Sequence, residues 1–103
     1  MILEVAILDV RAGQESQFET AFEQARRIIS SAPGYIGHEL QRCLEKPNRY
    51  LLLVRWERLE DHTDGFRRSA AYQDWKRLLH HFYDPFPVVE HYESFALGRT
   101  SDT

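Results

Sequence analysis

The sequence predicts an α+β fold in which a four-stranded antiparallel sheet carries two helical regions on one face. Two observations lead there: an opening aliphatic run of short period, followed by an amphipathic segment with apolar residues every three or four positions. A third is the overall order of the segments, strand, helix, strand, strand, helix, strand.

The first strand is "ILEVAILDV" from 2 to 10, with Leu3, Val5 and Ile7 on one face and Ile2, Ala6 and Leu8 on the other. A strand that is apolar on both sides expects cover on both sides. Gly13 ends the connection, and residues 14–32 place Phe18, Ala21, Phe22, Ala25, Ile28, Ile29 and Ala32 on one helical stripe. Pro33 and Gly34 stop that helix. Residues 35–45 and 49–57 read as a hairpin around "KPN". Asp61 is placed to cap a short helix carrying Phe66. Ser69 is placed to cap a second helix in which Tyr72, Trp75, Leu79 and Phe82 recur at three or four. A break is therefore expected near 68–70. Pro85 and Pro87 end helical structure, 88–95 reads as the last strand, and 97–103 as a frayed polar tail after one domain over 1–96. This order is the ferredoxin-like βαββαβ arrangement.

At 103 residues, 43% hydrophobic and 13% aromatic, the chain has material for one core. A net charge of -3, with lysine only at Lys46 and Lys76, gives no basic stripe, so no nucleic-acid partner is expected. The single Cys43 excludes an internal disulfide and any cysteine-rich metal site. The opening residues lack the basic leader of a signal peptide, and no apolar run approaches membrane-spanning length. The expectation is a cytoplasmic protein with no membrane partner.

Helices on one face leave the other face of two apolar strands uncovered. A homodimer packed sheet to sheet solves that problem, and the space between the sheets is then the natural site for a ligand.

The helix end "SAPGYIGHEL", the hairpin closing in "LLLVRWERLED" and the segment "FRRSAAYQDW" resemble the antibiotic biosynthesis monooxygenase family of dimeric α+β barrels, over about residues 1–96. The resemblance implies a homodimer with a pocket between sheet and helices in each subunit. In that family the pocket serves cofactor-free oxygenation of polyketide phenols, quinol oxidation or haem breakdown. It also implies that Trp56, ending the third strand, borders the pocket. The haem-degrading branch has an asparagine where this chain has Ala6 and a ligating histidine where it has Lys76, so the chain departs from that branch. Many members carry a histidine three residues before the serine matching Ser69. Phe66 stands there, with His62 one turn earlier as its candidate substitute.

The stretch "FYDPFPVVEHYESF" after His80 and His81 raises a metal reading, with His91, Asp84, Glu90 and Glu93 as further donors. Adjacent helical residues diverge by about 100°, so His80 and His81 do not readily share an ion. His91 and Glu93 would supply only two ligands, and neither metal nor cofactor is expected. Turn chemistry at Asp84, Pro85 and Pro87, with Phe82 and Phe86 plugging the core, accounts for most of the stretch. Either Val89, His91, Glu93 and Phe95 face the helices, or Val88, Glu90 and Tyr92 do.

Trp56 shares a face with Tyr50, Leu52 and Val54, and an even-length turn would continue that face into Glu39, Gln41 and Cys43. An apolar wall with a few polar groups suits a small aromatic ligand. Trp56, Glu39, Phe66 and Tyr72 are the expected pocket residues, against readings of interface filler for Trp56, solvated edge for Glu39 and plain core for the other two. No Ser-His-Asp or Gly-x-Ser-x-Gly pattern and no phosphate-binding glycine loop is present. The functional expectation is oxygenation or oxidation of a small phenol or quinol without a cofactor, with His62 or His91 as the base. The alternatives are a non-catalytic ligand-binding or stress-related dimer, and a purely structural dimer.

Overall fold

A computed structural model of the chain describes residues 1–98. Four strands, β1 (Ile2–Asp9), β2 (Tyr35–Arg42), β3 (Arg49–Trp56) and β4 (Val89–Tyr92), form one antiparallel sheet in the order β2-β3-β1-β4. Two helices, α1 (Glu15–Ile29) and α2 (Ala70–Leu79), cover one face. The expected element order is therefore observed.

The sheet separates its residues by alternation. Along β1 the buried set is Glu4, Ala6 and Leu8, continuing to Val10. Along β3 it is Tyr50, Leu52, Val54 and Trp56. Register joins them, with Ala6 opposite Leu52 and Leu8 opposite Tyr50. The stripe of α1 brings Phe18, Phe22, Ala25 and Ile29 onto this face. Phe18 is fully buried at its centre, 4.8 Å from the ring of Tyr50. Tyr50 then donates its hydroxyl to Glu19 Oε2 on α1 at 2.6 Å, tying helix to sheet. Burial and the Glu19 carboxylate hold that phenol protonated, with its pKa raised to about 12.

The two helical segments after β3 are separate, as the sequence requires. A single π-helical turn, Asp61–Phe66, is followed by α2, whose first turn is capped where Ser69 Oγ accepts from the Tyr72 amide at 3.2 Å. Asp61 acts differently from its expected cap role. It lies inside the π turn, and its Oδ2 accepts from the Arg58 amide at 3.0 Å, fixing the exit from β3. Gly34 is required beside it. Its φ is +84°, and a Cβ there would come within 2.2 Å of the Asp61 side chain.

The last strand is shorter than expected. Tyr92 pairs with Leu3 at the beginning of β1, so residues beyond it have no ladder partner. Ala96–Gly98 form a 3₁₀ turn, and the remainder of the expected tail lies outside the described residues.

The opposite sheet face carries Val5, Ile7, Leu51 and Leu53 with Arg49 and Arg55, and none of these is fully buried. Ile7 is 46% and Tyr92 51% exposed. Among the described residues, no helix is long and apolar enough to cross a membrane.

Candidate functional site

Between sheet and helices lies a cavity of about 390 Å³. Its sheet side is Glu4, Ala6 and Leu8 of β1 with Leu52 and Val89. Its helical side includes His62, Phe66, Tyr72 and Trp75, and Arg67 also borders it. The far end is closed by His80, Tyr83 and Phe86.

Strand register assembles the polar part. Glu4 pairs with His91 of β4, which places the two on one face. The π turn lowers His62 over both, with the rings of His62 and His91 5.0 Å apart. His62 Nδ1 and His91 Nε2 are hydrogen-bonded at 2.8 Å, and His62 Nε2 stands 3.4 Å from Glu4 Oε1. The same Glu4 oxygen accepts from Trp56 Nε1 at 2.9 Å. A chain of groups thus runs from a 5%-exposed carboxylate, through a 4%-exposed imidazole, to the half-buried His91.

Burial disfavours charge on all three groups. It raises the Glu4 pKa against the opposing effects of the Trp56 hydrogen bond and the Arg67 charge. It lowers that of His62 to about 3, helped by Arg67 and by His91. His91 and His80 are also held below the usual histidine range by burial first, with Lys76 and then Arg67 adding for His80 and Arg67 for His91. At neutral pH His62 is therefore uncharged. Arg67 forms no ion pair among the described residues, which leaves its guanidinium available at the cavity.

The expected site residues separate into three groups. His62, Phe66 and Tyr72 border the cavity, and His91 joins it through His62. Trp56 is fully buried behind the wall. It stacks on His62 with ring centroids 5.4 Å apart and is 6.0 Å from Phe66, so it supports the site from beneath. Glu39 is elsewhere. It pairs with Leu53, whereas Leu40 pairs with Leu52 and His38 with Val54, so the cavity-side face of β2 is His38, Leu40 and Arg42. Directly paired residues share a face, and pairing of Arg42 with Tyr50 puts even positions with even, which places Glu39 on the outer face. The open question of the last strand is resolved in favour of Val89 and His91 facing the helices.

Glu4, Arg67 and Trp75 are cavity residues that sequence reading did not single out, and His80, weighed there as a metal donor, lines the cavity instead. Glu4 left a signal: it is the one charged residue in the even-numbered set of β1, between Ile2 and Ala6. No signal marked Arg67, one of two adjacent arginines in an exposed turn. Among the described residues, no group of three or more His, Cys, Asp or Glu side chains is arranged to hold a metal ion. In the Glu4–His62–His91 chain, both His62 nitrogens are turned to neighbours, which is the geometry of proton exchange.

Similarity to known proteins agrees with this architecture. Over 93 residues, 90% of this chain and 98% of the other, the sequence is 57% identical to YczJ of Bacillus subtilis (strain 168), an uncharacterized protein. It is 34% identical over 59 residues to deoxynogalonate monooxygenase of Streptomyces nogalater, a match covering 57% of this chain and 47% of that enzyme. The crystal structure of a candidate antibiotic biosynthesis monooxygenase from Bordetella bronchiseptica superposes with a TM-score of 0.87 at 37% identity, covering 91% of this chain and 96% of that one. The family profile described as antibiotic biosynthesis monooxygenase matches residues 1–78, and the chain belongs to that family.

Proposed function

We propose that this protein oxidises or oxygenates a small electron-rich phenol or quinol without a cofactor, in the cavity between sheet and helices of each subunit of a homodimer. The observation that carries the reading is the composition of that cavity: aromatic and aliphatic walls that include an uncharged imidazole, His62, which is hydrogen-bonded in turn to His91. Phe66, Tyr72 and Trp75 supply flat apolar surface for a ring, and Trp56 supports His62 by stacking from behind.

The chemistry follows from what such a site does to a phenol. Removing the hydroxyl proton gives an electron-rich phenolate, which can pass electrons to O2 directly. A quinol loses two electrons and two protons to become a quinone, and O2 becomes hydrogen peroxide. A phenol with an activated methylene takes one oxygen atom as a carbonyl, and the methylene hydrogens leave with the second atom as water. The polar wall around Glu4 and His62 receives that proton, and apolar walls keep bulk water from the intermediate. The identity to deoxynogalonate monooxygenase over about half of each chain supports the class of reaction. The uncovered aliphatic outer face, with Ile7 and Tyr92 about half exposed, supports the dimer.

The test is oxygen consumption with a panel of quinols and methylene-bearing phenols, run beside thermal stabilisation by the same compounds. Uptake that His62→Asn abolishes, in a variant that still unfolds cooperatively, is the expected result. Return of half the consumed oxygen on adding catalase identifies quinol oxidation, and no return identifies oxygenation. Stabilisation by ligands with no oxygen uptake across the panel would replace the enzyme reading with a binding protein.

A further inference from the structure

We propose that Glu4 is the group that takes the proton from the substrate hydroxyl, and that the ligand enters with a hydroxyl directed at the free Glu4 oxygen. This inference rests on the phenol or quinol reading above and assigns the atom that does its first step.

The geometry of the carboxylate carries the argument. Both of its recorded polar contacts, Trp56 Nε1 at 2.9 Å and His62 Nε2 at 3.4 Å, converge on Oε1. Oε2 has no hydrogen-bond partner among the described residues, yet no side-chain oxygen or nitrogen there is both sealed from contact and unsatisfied. Since Glu4 borders the cavity, Oε2 is the acceptor presented to it. One oxygen is anchored and the other is open, so the carboxylate is aimed as well as buried. A buried acceptor of this kind selects for a partner that donates. A substrate hydroxyl is such a donor.

Proton affinity is ordered in the same sense. Burial raises Glu4 and lowers His62, so a proton arriving at the wall rests better on the carboxylate than on the imidazole. The substrate O–H bond breaks, an O–H bond forms at Glu4, and the phenolate remains with its electron pair for O2. His62 and His91 then carry a proton from Glu4 toward the half-exposed end of the chain, resetting the carboxylate. Arg67 at the cavity faces the negative charge that develops on the ring.

The experiment uses 4-nitrophenol, whose phenolate has its own visible absorbance, as the probe. It is titrated at a pH below its solution pKa into wild type and Glu4→Gln, a variant that retains an oxygen acceptor for Trp56 Nε1. Binding is followed independently by thermal shift. The expected result is binding to both proteins, with the phenolate band developing at least several-fold more strongly on wild type. In the same wild-type sample an infrared difference spectrum should show a new protonated-carboxyl carbonyl stretch on binding, a readout that does not depend on the variant folding. Equal phenolate formation on Glu4→Gln, or a wild-type phenolate band without the carboxyl signal, would overturn the assignment of Glu4 while leaving the pocket reading intact. Failure of wild type to bind this probe and every phenol of the panel would overturn both.

Discussion

The two faces of the sheet are built from the same strands and similar aliphatic residues, but they have different fates. Inward, β1 and β3 present Ala6, Leu8, Leu52 and Val54 together with Glu4, Tyr50 and Trp56, each of which ends in a polar atom. Each of these side chains has a partner, Tyr50 with Glu19 and Trp56 with Oε1 of Glu4. Outward, Val5, Ile7, Leu51 and Leu53 are flanked by Arg49 and Arg55, and Arg49 is drawn into a two-bond contact with Asp9 at 2.8 and 3.2 Å. The inner face borders a cavity and sets ionisable side chains in its wall. The outer face offers aliphatic area without an enclosed polar group, which suits contact with another surface. Hydrophobicity alone does not distinguish the two. The distinction lies in where the buried polar groups sit and whether they have partners.

Substitution can break that contrast. The largest expected effect is Trp56→Ala, which leaves a void beneath His62 and removes a donor from buried Glu4; a loss of about 3–5 kcal/mol in denaturant unfolding is expected. Leu52→Ala, also inward, should cost about 2–5 kcal/mol. Its neighbour Leu53 points outward, so Leu53→Ala should cost about 1 kcal/mol or less in the isolated subunit. In the proposed dimer its effect should instead grow with protein concentration. Equal, concentration-independent losses for Leu52→Ala and Leu53→Ala would show that the faces are not distinct in solution.

A pH series sharpens the comparison at the site. His62 has a folded pKa of about 3 against an ordinary value of 6.5, so below 6.5 the unfolded chain binds the extra proton and stability falls with pH. Glu4, raised by burial, acts in the opposite sense: its contribution is present below 4.5 and is lost as pH rises through its raised value. The difference in unfolding free energy between wild type and His62→Asn isolates the first effect. It should shrink by roughly 2 kcal/mol on going from pH 7 to pH 5, at about 1.4 kcal/mol per unit below 6.5. A flat difference would mean that His62 is charged without penalty. A similarly small effect is expected at the edge of the site, where Ser69→Ala removes the cap of α2 and should cost about 1 kcal/mol, read from the unfolding midpoint.

Much of this architecture was legible because it rests on local periodicity. The alternation in 2–10, the stripe of Phe18, Phe22, Ala25 and Ile29 and the cap at Ser69 are each set by neighbours in the chain, whereas the first helix ends at Ile29, earlier than the Pro33–Gly34 stop that the sequence suggests. Those signals determined the element order, the break between the two helical segments and the family. The cavity positions of His62 and Phe66 were pointed to by resemblance, and that of Tyr72 by its helical spacing. What the tertiary structure alone decided was pairing parity and convergence. Glu39 was placed on the wrong face because face assignment across a hairpin depends on which residue stands opposite which, a property of two strands together. Glu4 looked like an interruption in an aliphatic strand. It became the centre of the site when β4 set His91 beside it, the π turn laid His62 above it and β3 brought the Trp56 indole to its first oxygen. Contacts separated by 29 to 87 positions in the chain leave little imprint on local composition, so the sequence determined the scaffold and only folding determined which carboxylate it would enclose.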